Sequence, residues 1–461
     1  PFVLARDGEG EPGQRVETRS TQSIPRLCWS APCGVRSEII PYSQSNNTMQ
    51  FGRLLLFWLL AGTCHVGSGF TPGLMTLRRT AASTASSIRC DMSDGFRGVG
   101  DDDVPVTKIE MGKVPLGKKS ISELGFGTIA WGDPDRGFGE DFGKPMVEQA
   151  FREMVEGGVT LIDTAEVYGY KGMEAGESSE HLVGAFLDDL RERDPARSVD
   201  CVAASKFFPV PWTNMLVGGG LRIGRQAVVD AARASSKRLG RTVDLYQLHF
   251  PFPYFGGSDA LCEGLAEAVD LGLVRSVGVC NFEKAELEYF HGALAKHGVP
   301  LVSNQVKFSL LDRKVLQSGL LDTCRELGVT VLAYEPLEGG LLTGKYHNGQ
   351  HIYGPSPTTM FSEEQLVERR PIVNLCRLIG TFDGGKTTAQ VALNYLMCKG
   401  AVPIPGCKNV AQARELLGSC GWRLSETDVE VLDERMDYFE RQRSLEGKTE
   451  SLSKEIQGWL G

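Results

Sequence analysis

The segment VTLIDTAEVYG, residues 159–169, shows how the chain is built, because a short apolar run passes directly into polar side chains. The run at 159–164 predicts a β-strand covered on both faces. A helical pattern precedes it and ends at Gly157 and Gly158. Its apolar face consists of Val147, Ala150, Phe151, Met154 and Val155. A helix followed by a buried strand is typical of α/β proteins.

This unit recurs along the chain. Short apolar runs that end in polar residues or glycine lie at 124–128, 159–164, 201–207, 243–249, 276–281, 301–306, 329–336 and 401–406. Helical patterns separate these eight predicted parallel strands over about 300 residues, which predicts an α/β fold of the (β/α)8 TIM-barrel type. No G-x-G-x-x-G follows an early strand, which disfavours a Rossmann sheet. We also expect a hairpin at 114–122 at the bottom of the barrel and a long loop at 338–385, in which the segment GGLLTG can fold over a ligand.

The region before the barrel has the composition of a targeting sequence. Residues 1–48 contain no Met and no sustained periodicity, and the first Met is Met49. We therefore expect residues 1–48 to be disordered and to lie upstream of the translation start. Residues 49–103 are interpreted as a presequence and linker, and residues 104–461 as the barrel domain.

The presequence has two parts. Arg53 and the apolar run at 54–62 resemble a signal peptide, and the run is shorter than the about 20 apolar residues of a membrane-spanning helix. A buried core helix is the alternative for this run. The stretch 71–90 holds three arginines, many small and hydroxyl residues and no acid, as transit peptides do. The order resembles the bipartite plastid presequence of algae with secondary plastids and predicts a plastid (chloroplast) location, with the secretory pathway as the alternative.

Composition excludes several classes of protein. Hydrophobic residues make up 41 %, charged residues 23 % and the net charge is −9, so the chain is globular and lacks the basic excess of a general nucleic-acid binder. The 12 cysteines form no C-x-x-C or zinc spacing, and those from Cys201 onward are predicted to be buried or free thiols. Only one of seven histidines ends a predicted strand, so we predict no metal site. No segment after the presequence is long and apolar enough to span a membrane, and the oligomeric state stays open.

Polar side chains stand where the predicted strands end. In (β/α)8 barrels the chemistry lies at the C-terminal ends of the strands. Those positions are occupied by Asp163, Lys206, His249, Asn281, Asn304, Gln305, Tyr334 and Gly406. The sequence therefore predicts a polar ring on one rim of an apolar barrel.

At this point the chain resembles the aldo-keto reductase superfamily over roughly residues 105–440. The phrases that carry the resemblance, in chain order, are DTAEVYG, VDLYQLH, GLVRSVGVCNF, SNQVKFSLLDR, LTGKY and VPIPGCKN. The plastid-targeted members of plants and algae are the most similar. The resemblance implies a catalytic tetrad of Asp163, Tyr168, Lys206 and His249.

The chemistry of carbonyl reduction is consistent with that tetrad. Hydride addition builds negative charge on oxygen, so an acid must supply a proton, and Tyr168 is predicted to be that acid. A lysine ammonium about 4 Å away, at an effective dielectric of about 20, favours tyrosinate by roughly 4 kcal/mol and lowers the tyrosine pKa by at most about 3 units. Asp163 can keep Lys206 charged, and His249 can orient the carbonyl oxygen or relay the proton. Each residue alone has a structural explanation, but their order at three consecutive strand ends favours catalysis.

Hydride chemistry needs a nicotinamide or a flavin, and the resemblance implies a nicotinamide. Asn281 and Gln305 would hold the carboxamide and Tyr334 would stack on the ring. The backbone of GGLLTG at 339–344, which includes Leu341, would take the pyrophosphate. The residues where the family binds the adenosine end are Gly406, Lys408, Gln412 and Glu415.

Lys408, and two positions that differ from the residues usual in the family, refine this cofactor prediction. A lysine just after a strand, at a helix start, suits a 2′-phosphate, so we predict NADPH (NADP+) rather than NADH. Leu416 stands where many family members have Asn, and Cys280 where Ser is usual. The adenine contact is therefore not carried over, and Cys280 is expected to change the local polarity mildly.

Aromatic loops around the tetrad predict a hydrophobic mouth for a small-molecule carbonyl substrate. The predicted pocket residues are Trp131, Trp212 and Phe250, in or beside the segments after three strands. The alternative is that these aromatic side chains pack against helix ends and do not line a pocket. The sequence leaves aldehydes, ketones, quinones and a vitamin-type aldehyde such as pyridoxal open.

One other function fits the same sequence. Some barrels of this superfamily bind NADPH as sensors, as regulatory subunits of ion channels or as scaffolds, with little turnover. The complete tetrad favours an NADPH-dependent oxidoreductase that reduces an aldehyde or ketone to an alcohol.

Overall fold

The computed structural model describes residues 110–211, 213, 217, 221–348 and 361–460. A hairpin of β1 (Lys113–Leu116) and β2 (Lys119–Ser122) precedes the barrel. The barrel strands are β3 (Gly125–Gly127), β4 (Leu161–Asp163), β5 (Val202–Phe207), β6 (Val243–Leu248), β7 (Val274–Cys280), β8 (Leu301–Lys307), β9 (Thr330–Tyr334) and β10 (Val402–Pro403). They pair in parallel in sequence order. The predicted (β/α)8 fold and all eight predicted strand positions are confirmed.

The seam of the barrel lies between β3 and β10. A parallel bridge joins Gly127 to Gly406, and the Gly127 amide donates to the carbonyl of Pro405 at 2.9 Å. A Cβ on Gly125 would lie 2.9 Å from side-chain atoms of Ile404 and Leu161. Glycine in β3 therefore lets the last strand approach closely enough to close the barrel.

The hairpin confirms the prediction for 114–122. Gly117 has a φ of +58°, in the left-handed region that favours glycine in tight turns. The hydroxyl of Thr330, the first residue of β9, donates to the carbonyl of Pro115 at 2.6 Å. The hairpin therefore covers the N-terminal end of the barrel, opposite to the predicted polar rim.

Helices surround the strands. Their bounds are α1 (Lys144–Glu156), α2 (Ser179–Arg193), α3 (Pro195–Asp200), α4 (Gly224–Leu239), α5 (Gly257–Asp270), α6 (Lys284–Lys296), α7 (Lys314–Gln317), α8 (Leu320–Glu326), α9 (Glu363–Phe382), α10 (Thr388–Cys398), α11 (Val410–Leu417) and α12 (Glu426–Leu460). The buried face of α1 consists of the five residues predicted from the pattern. Short 3₁₀ helices occupy Pro134–Arg136, Tyr170–Gly172, Glu338–Thr343 and Lys345–Asn348.

The prediction of one long loop at 338–385 is wrong in part, because α9 occupies 20 residues of it. Ser362 and Gln365 form a reciprocal capping box at its start, which satisfies two backbone donors. Pro371 lies inside the helix, although proline normally interrupts one. A buried stripe that includes Ile372, Cys376 and Ile379 stabilises the helix against the barrel despite that proline.

The cysteine prediction is confirmed, whereas the targeting predictions are not tested. All eight cysteines from Cys201 onward are free, and seven are buried. The presequence interpretation of residues 1–103 lies outside the described residues. No helix in the described ranges has the length and apolarity to cross a bilayer.

Candidate active site

The ammonium of Lys206 lies at the end of β5 inside the barrel mouth. Its Nζ donates to Asp163 Oδ2 at 2.6 Å, to the Thr164 carbonyl at 2.9 Å and to the Tyr168 hydroxyl at 3.3 Å. Lys206 is fully buried, and Asp163 is 3 % exposed. Burial lowers the pKa of Lys206, but Asp163 and its other neighbours outweigh this effect, so that the pKa lies above the ordinary value. Lys206 is therefore held as an ammonium against the tyrosine oxygen.

The second oxygen of Asp163 accepts two amides. Gln305 Nε2 donates to Asp163 Oδ1 at 2.7 Å, and Gln247 Nε2 lies at 3.4 Å from the same atom. Both glutamines are buried inside the barrel. These amides orient the carboxylate that holds Lys206. The role of Gln247 was missed from sequence, although it lies two residues before the strand-end His249 and therefore on the same face of the strand.

The proposed acid, Tyr168, is a weaker acid than predicted. Burial raises the pKa of Tyr168 above its ordinary value of 10, and the opposing effect of Lys206 is smaller. The negative charge of Asp163 behind Lys206 also raises it. The expected lowering by up to about 3 units is therefore wrong for this structure, because the phenol faces a nearly neutral ion pair in a partly buried site.

His249 completes the group at the end of β6. Its ring centroid lies 6.0 Å from that of Tyr168 and 5.3 Å from that of Phe208. Burial, and then the charge of Lys206, hold the pKa of His249 well below its ordinary value, so the ring is neutral. Its Nδ1 is buried and has no hydrogen-bond partner among the described residues. Because this nitrogen has no accessible surface, it is an unpaired buried polar atom of the protein and not a contact point for a bound molecule.

The predicted nicotinamide residues lie at the same mouth. Asn281 is exposed, its Oδ1 accepts from the Tyr334 hydroxyl at 2.9 Å, and its Nδ2 donates to the His249 carbonyl at 3.4 Å. Its φ of 61° is in the left-handed region, which Asn tolerates better than most residues. Gln305 is buried, with its amide nitrogen on Asp163.

The predicted pyrophosphate loop is a 3₁₀ turn at Glu338–Thr343. Gly339 and Gly340 have φ of 61° and 94°, and Gly344 follows with φ of 80°. These left-handed residues give the sharp path of the loop, while Leu341 anchors it with a buried side chain.

The residues predicted to bind the adenosine end lie close to one another after β10. Lys408 Nζ donates to the Arg136 carbonyl at 3.2 Å and lies 4.5 Å from the centroid of the Phe142 ring. Gln412 Oε1 accepts from the Lys408 amide at 2.8 Å. Glu415 accepts from the hydroxyl of Thr387.

Charged groups of both signs surround Lys408. Burial, then the guanidinium of Arg136, lower its pKa, while Asp141 raises it, and Lys345 and Asp133 add smaller effects in opposite directions. No salt bridge to Lys408 forms within the described ranges. Arg136 was missed from sequence because it lies 272 residues earlier, in a 3₁₀ turn without a family motif.

The substrate predictions have mixed outcomes. Trp131 is 1 % exposed, and its Nε1 donates to the Cys407 carbonyl at 2.8 Å. It packs against Phe126 and Phe186 and therefore belongs to the core, contrary to the prediction of a pocket residue. Trp212 lies outside the described residues. Phe250 is buried with its ring 6.1 Å from that of His249, and its role in the pocket stays a prediction.

Comparison with known proteins agrees with this arrangement. The Aldo/keto reductase family model matches residues 123–437. The chain belongs to the aldo/keto reductase family. It is therefore an oxidoreductase, from a family that acts on small-molecule carbonyls and generally binds NAD(P)H.

Individual aldo-keto reductases align over most of their length. The chloroplastic pyridoxal reductase of Arabidopsis thaliana is 35 % identical over 316 residues, which cover 68 % of this chain and 82 % of that protein. An uncharacterized oxidoreductase of Mycobacterium bovis is 31 % identical over 327 residues, covering 69 % and 90 %. The crystal structure of a thermostable aldo-keto reductase with the inhibitor epalrestat has a TM-score of 0.53 and 28 % identity, covering 70 % of this chain and 99 % of the other.

The residues of this aldo-keto reductase fit a dinucleotide. A Cβ on Gly406 would meet nothing nearer than the Gly127 carbonyl at 4.0 Å, so the backbone there is open to close approach. The ammonium of Lys408, which forms no salt bridge in the described ranges, suits a phosphate. Leu416, in contrast, is buried and offers no polar atom to an adenine.

Proposed function

We propose that the chain is an NADPH-dependent reductase that converts an aldehyde or ketone to an alcohol, with Tyr168 as general acid. The observation that carries this proposal is the ammonium of Lys206, which contacts both Asp163 and the Tyr168 hydroxyl beside a neutral His249. A buried carboxylate, lysine and tyrosine in this order can supply a proton and then stabilise the oxygen left behind.

Each residue has a separate task in this mechanism. When bound, NADPH would supply the hydride. The raised pKa keeps Tyr168 protonated at neutral pH, so its hydroxyl can donate to the carbonyl oxygen. Lys206 then stabilises the phenolate, and Asp163 keeps that lysine charged. His249 orients the carbonyl oxygen with its neutral ring, which lies beside the Tyr168 ring at the barrel mouth.

The cofactor-binding proposal follows the mouth of the barrel. The exposed amide of Asn281 and the carbonyl oxygen of Gln305 would hold the nicotinamide carboxamide, and Tyr334 would cover one face of the ring. The turn around Leu341 would receive the pyrophosphate. The adenosine end would lie along Gly406, Lys408, Gln412 and Glu415.

Pyridoxal is the first substrate to test, because the Arabidopsis relative is named as a pyridoxal reductase. The experiment titrates NADPH by fluorescence and then follows its oxidation with pyridoxal, 4-nitrobenzaldehyde and a quinone. Tyr168→Phe should lower kcat by about 10²-fold or more while NADPH still binds. Unchanged turnover in Tyr168→Phe would refute the acid role. Tight NADPH binding without turnover of any carbonyl would instead support a sensor or scaffold.

We also propose plastid targeting through residues 49–103. The two-part composition supports it, and the Arabidopsis relative is named as chloroplastic. Residues 49–103 fused to a fluorescent protein should reach the plastid in an alga with secondary plastids. Secretion of the fusion would contradict the proposal.

A further inference from the structure

A second buried ion pair lies directly behind the candidate active site. Glu166 follows β4 and stands two residues before Tyr168, and Arg222 lies just before α4. Arg222 Nη1 meets Glu166 Oε1 at 2.5 Å, and Nη2 meets Oε2 at 2.9 Å. Their exposed fractions are 1 % for Glu166 and 2 % for Arg222. Burying two charges is costly, so a bidentate pair in the interior indicates that its geometry serves a purpose.

The pair holds the backbone of one residue, Phe208. The Phe208 amide donates to Glu166 Oε1 at 2.6 Å, and Arg222 Nη1 donates to the Phe208 carbonyl at 2.9 Å. The guanidinium also lies 5.0 Å from the centroid of the Phe207 ring. Both backbone polar groups of Phe208 are therefore fixed by the same ion pair, immediately after the strand that carries Lys206.

The Phe208 side chain forms a wall of the mouth. Its ring meets the His249 ring edge-on at a centroid distance of 5.3 Å and the Phe250 ring at 4.8 Å. Phe208 is partly exposed, whereas Phe250 is buried beneath it. A shift of the Phe208 backbone would therefore move the aromatic surface next to the His249 ring that faces the substrate oxygen.

We propose that Glu166 and Arg222 are positioning residues that hold Phe208 against His249 and thereby favour aromatic over small carbonyl substrates. This inference rests on the proposed reductase function. The pair links the loop that carries the acid, Tyr168, to the Phe208 loop, which would contact the substrate's side group.

The chain offers a matched control. Glu180 and Arg238 form another buried pair, with Glu180 Oε1 accepting from the Ser205 hydroxyl. Glu180 also lies next to β5, but it contacts neither Phe208 nor His249. Loss of its charge tests the general effect of breaking a buried ion pair on the barrel.

The experiment compares Glu166→Gln, Arg222→Lys and Glu180→Gln in the full chain. For each protein it measures KM and kcat for 4-nitrobenzaldehyde and propanal, and the NADPH affinity. Glu166→Gln and Arg222→Lys should raise KM for the aromatic aldehyde about tenfold, with much less change for propanal, because only the larger substrate touches the Phe208 wall. Arg222→Lys keeps the charge but loses the bidentate contact that Nη1 and Nη2 make with the two Glu166 oxygens, so it remains informative if Glu166→Gln does not fold.

A second measurement is independent of turnover. Hydrogen exchange at the Phe208 amide should accelerate in Arg222→Lys and Glu166→Gln and stay at the wild-type rate in Glu180→Gln. Equal KM changes for both aldehydes, or an unchanged Phe208 exchange rate, would overturn the proposal. If the wild type reduces no carbonyl, the reductase proposal fails, and the exchange rate alone decides whether the pair holds Phe208.

Discussion

Lys206 Nζ lies 2.6 Å from Asp163 Oδ2 in the barrel interior, and the lysine side chain has no exposed surface. Burial would otherwise lower the pKa of this lysine, so its charge depends on that carboxylate. The carboxylate in turn is oriented by the amides of Gln305 and Gln247. The ion pair therefore controls the environment of Tyr168 from the side that faces away from solvent.

Asp163→Asn should impair both catalysis and folding. The variant leaves Lys206 buried without its counter-charge, which costs about 3–5 kcal/mol for a buried pair. A Lys206 that loses its proton no longer stabilises the phenolate, so kcat should fall by about 10²-fold or more. Urea denaturation and steady-state kinetics measure the two effects.

Asp244→Asn is the matched control for that variant. Asp244 is equally buried, on β6, but it pairs with Lys119, Arg241 and Arg275, away from the tetrad. The Asp244→Asn variant should have a lower free energy of unfolding and an unchanged kcat. If Asp244→Asn lowered kcat as much as Asp163→Asn, the loss of activity would follow from breaking any buried ion pair and not from a catalytic role of Asp163.

The pH dependence follows from the two shifted groups at the site. The raised pKa keeps Tyr168 protonated, and the lowered pKa keeps His249 neutral. The rate of carbonyl reduction should therefore be flat from about pH 6 to about pH 9 and should fall only as Tyr168 loses its proton above about pH 10. A tyrosine pKa lowered by about 3 units would instead lose the acid near pH 7, so a decline of kcat/KM between pH 6 and 8 would contradict the structure.

The eight strands were predictable because both faces of each strand are covered, so the apolar runs stand out without an alignment. The rim residues followed from the same pattern, since parallel strands bring their C-terminal ends to one edge. Asp163 and Lys206 could therefore be placed together although 43 residues separate them. The hairpin was predictable because Gly117 interrupts two short alternating runs.

Contacts between distant loops were not predictable. Arg222 pairs with Glu166 across 56 positions, and neither residue has a local pattern that indicates the other. Trp131 follows a strand as a pocket residue would, but the Cys407 carbonyl, 276 residues later, holds its indole in the core. The pKa of Tyr168 depends on burial, which the sequence does not specify.

Lys408→Ala should weaken NADPH more than NADH. Burial and the guanidinium of Arg136 lower the pKa of this lysine, and a 2′-phosphate would give both cations a counter-charge. Loss of one charged hydrogen bond predicts an increase in the NADPH dissociation constant of about tenfold to a hundredfold. Fluorescence titration with both cofactors measures it.

Lys386→Ala controls for the loss of a partly buried lysine that lies over an aromatic ring. Lys386 Nζ lies 5.1 Å from the Trp422 ring centroid, much as Lys408 lies over Phe142. Lys386→Ala should leave the affinities for NADPH and for NADH unchanged. An equal loss of NADPH and NADH binding in Lys408→Ala would refute the preference for the phosphorylated cofactor.

Two helix glycines should respond to alanine in opposite directions. A Cβ on Gly184 in α2 would lie 2.7 Å from the carbonyl oxygen of Leu239 at the end of α4, so the two helices would have to separate. Gly184→Ala should lower the free energy of unfolding by about 1–3 kcal/mol. A Cβ on Gly292 in α6 meets nothing within 4 Å, and Gly292→Ala should raise it by about 0.5–1 kcal/mol because alanine favours the helix. Urea denaturation measures both, and a shift in the same direction would contradict the close approach of α2 and α4.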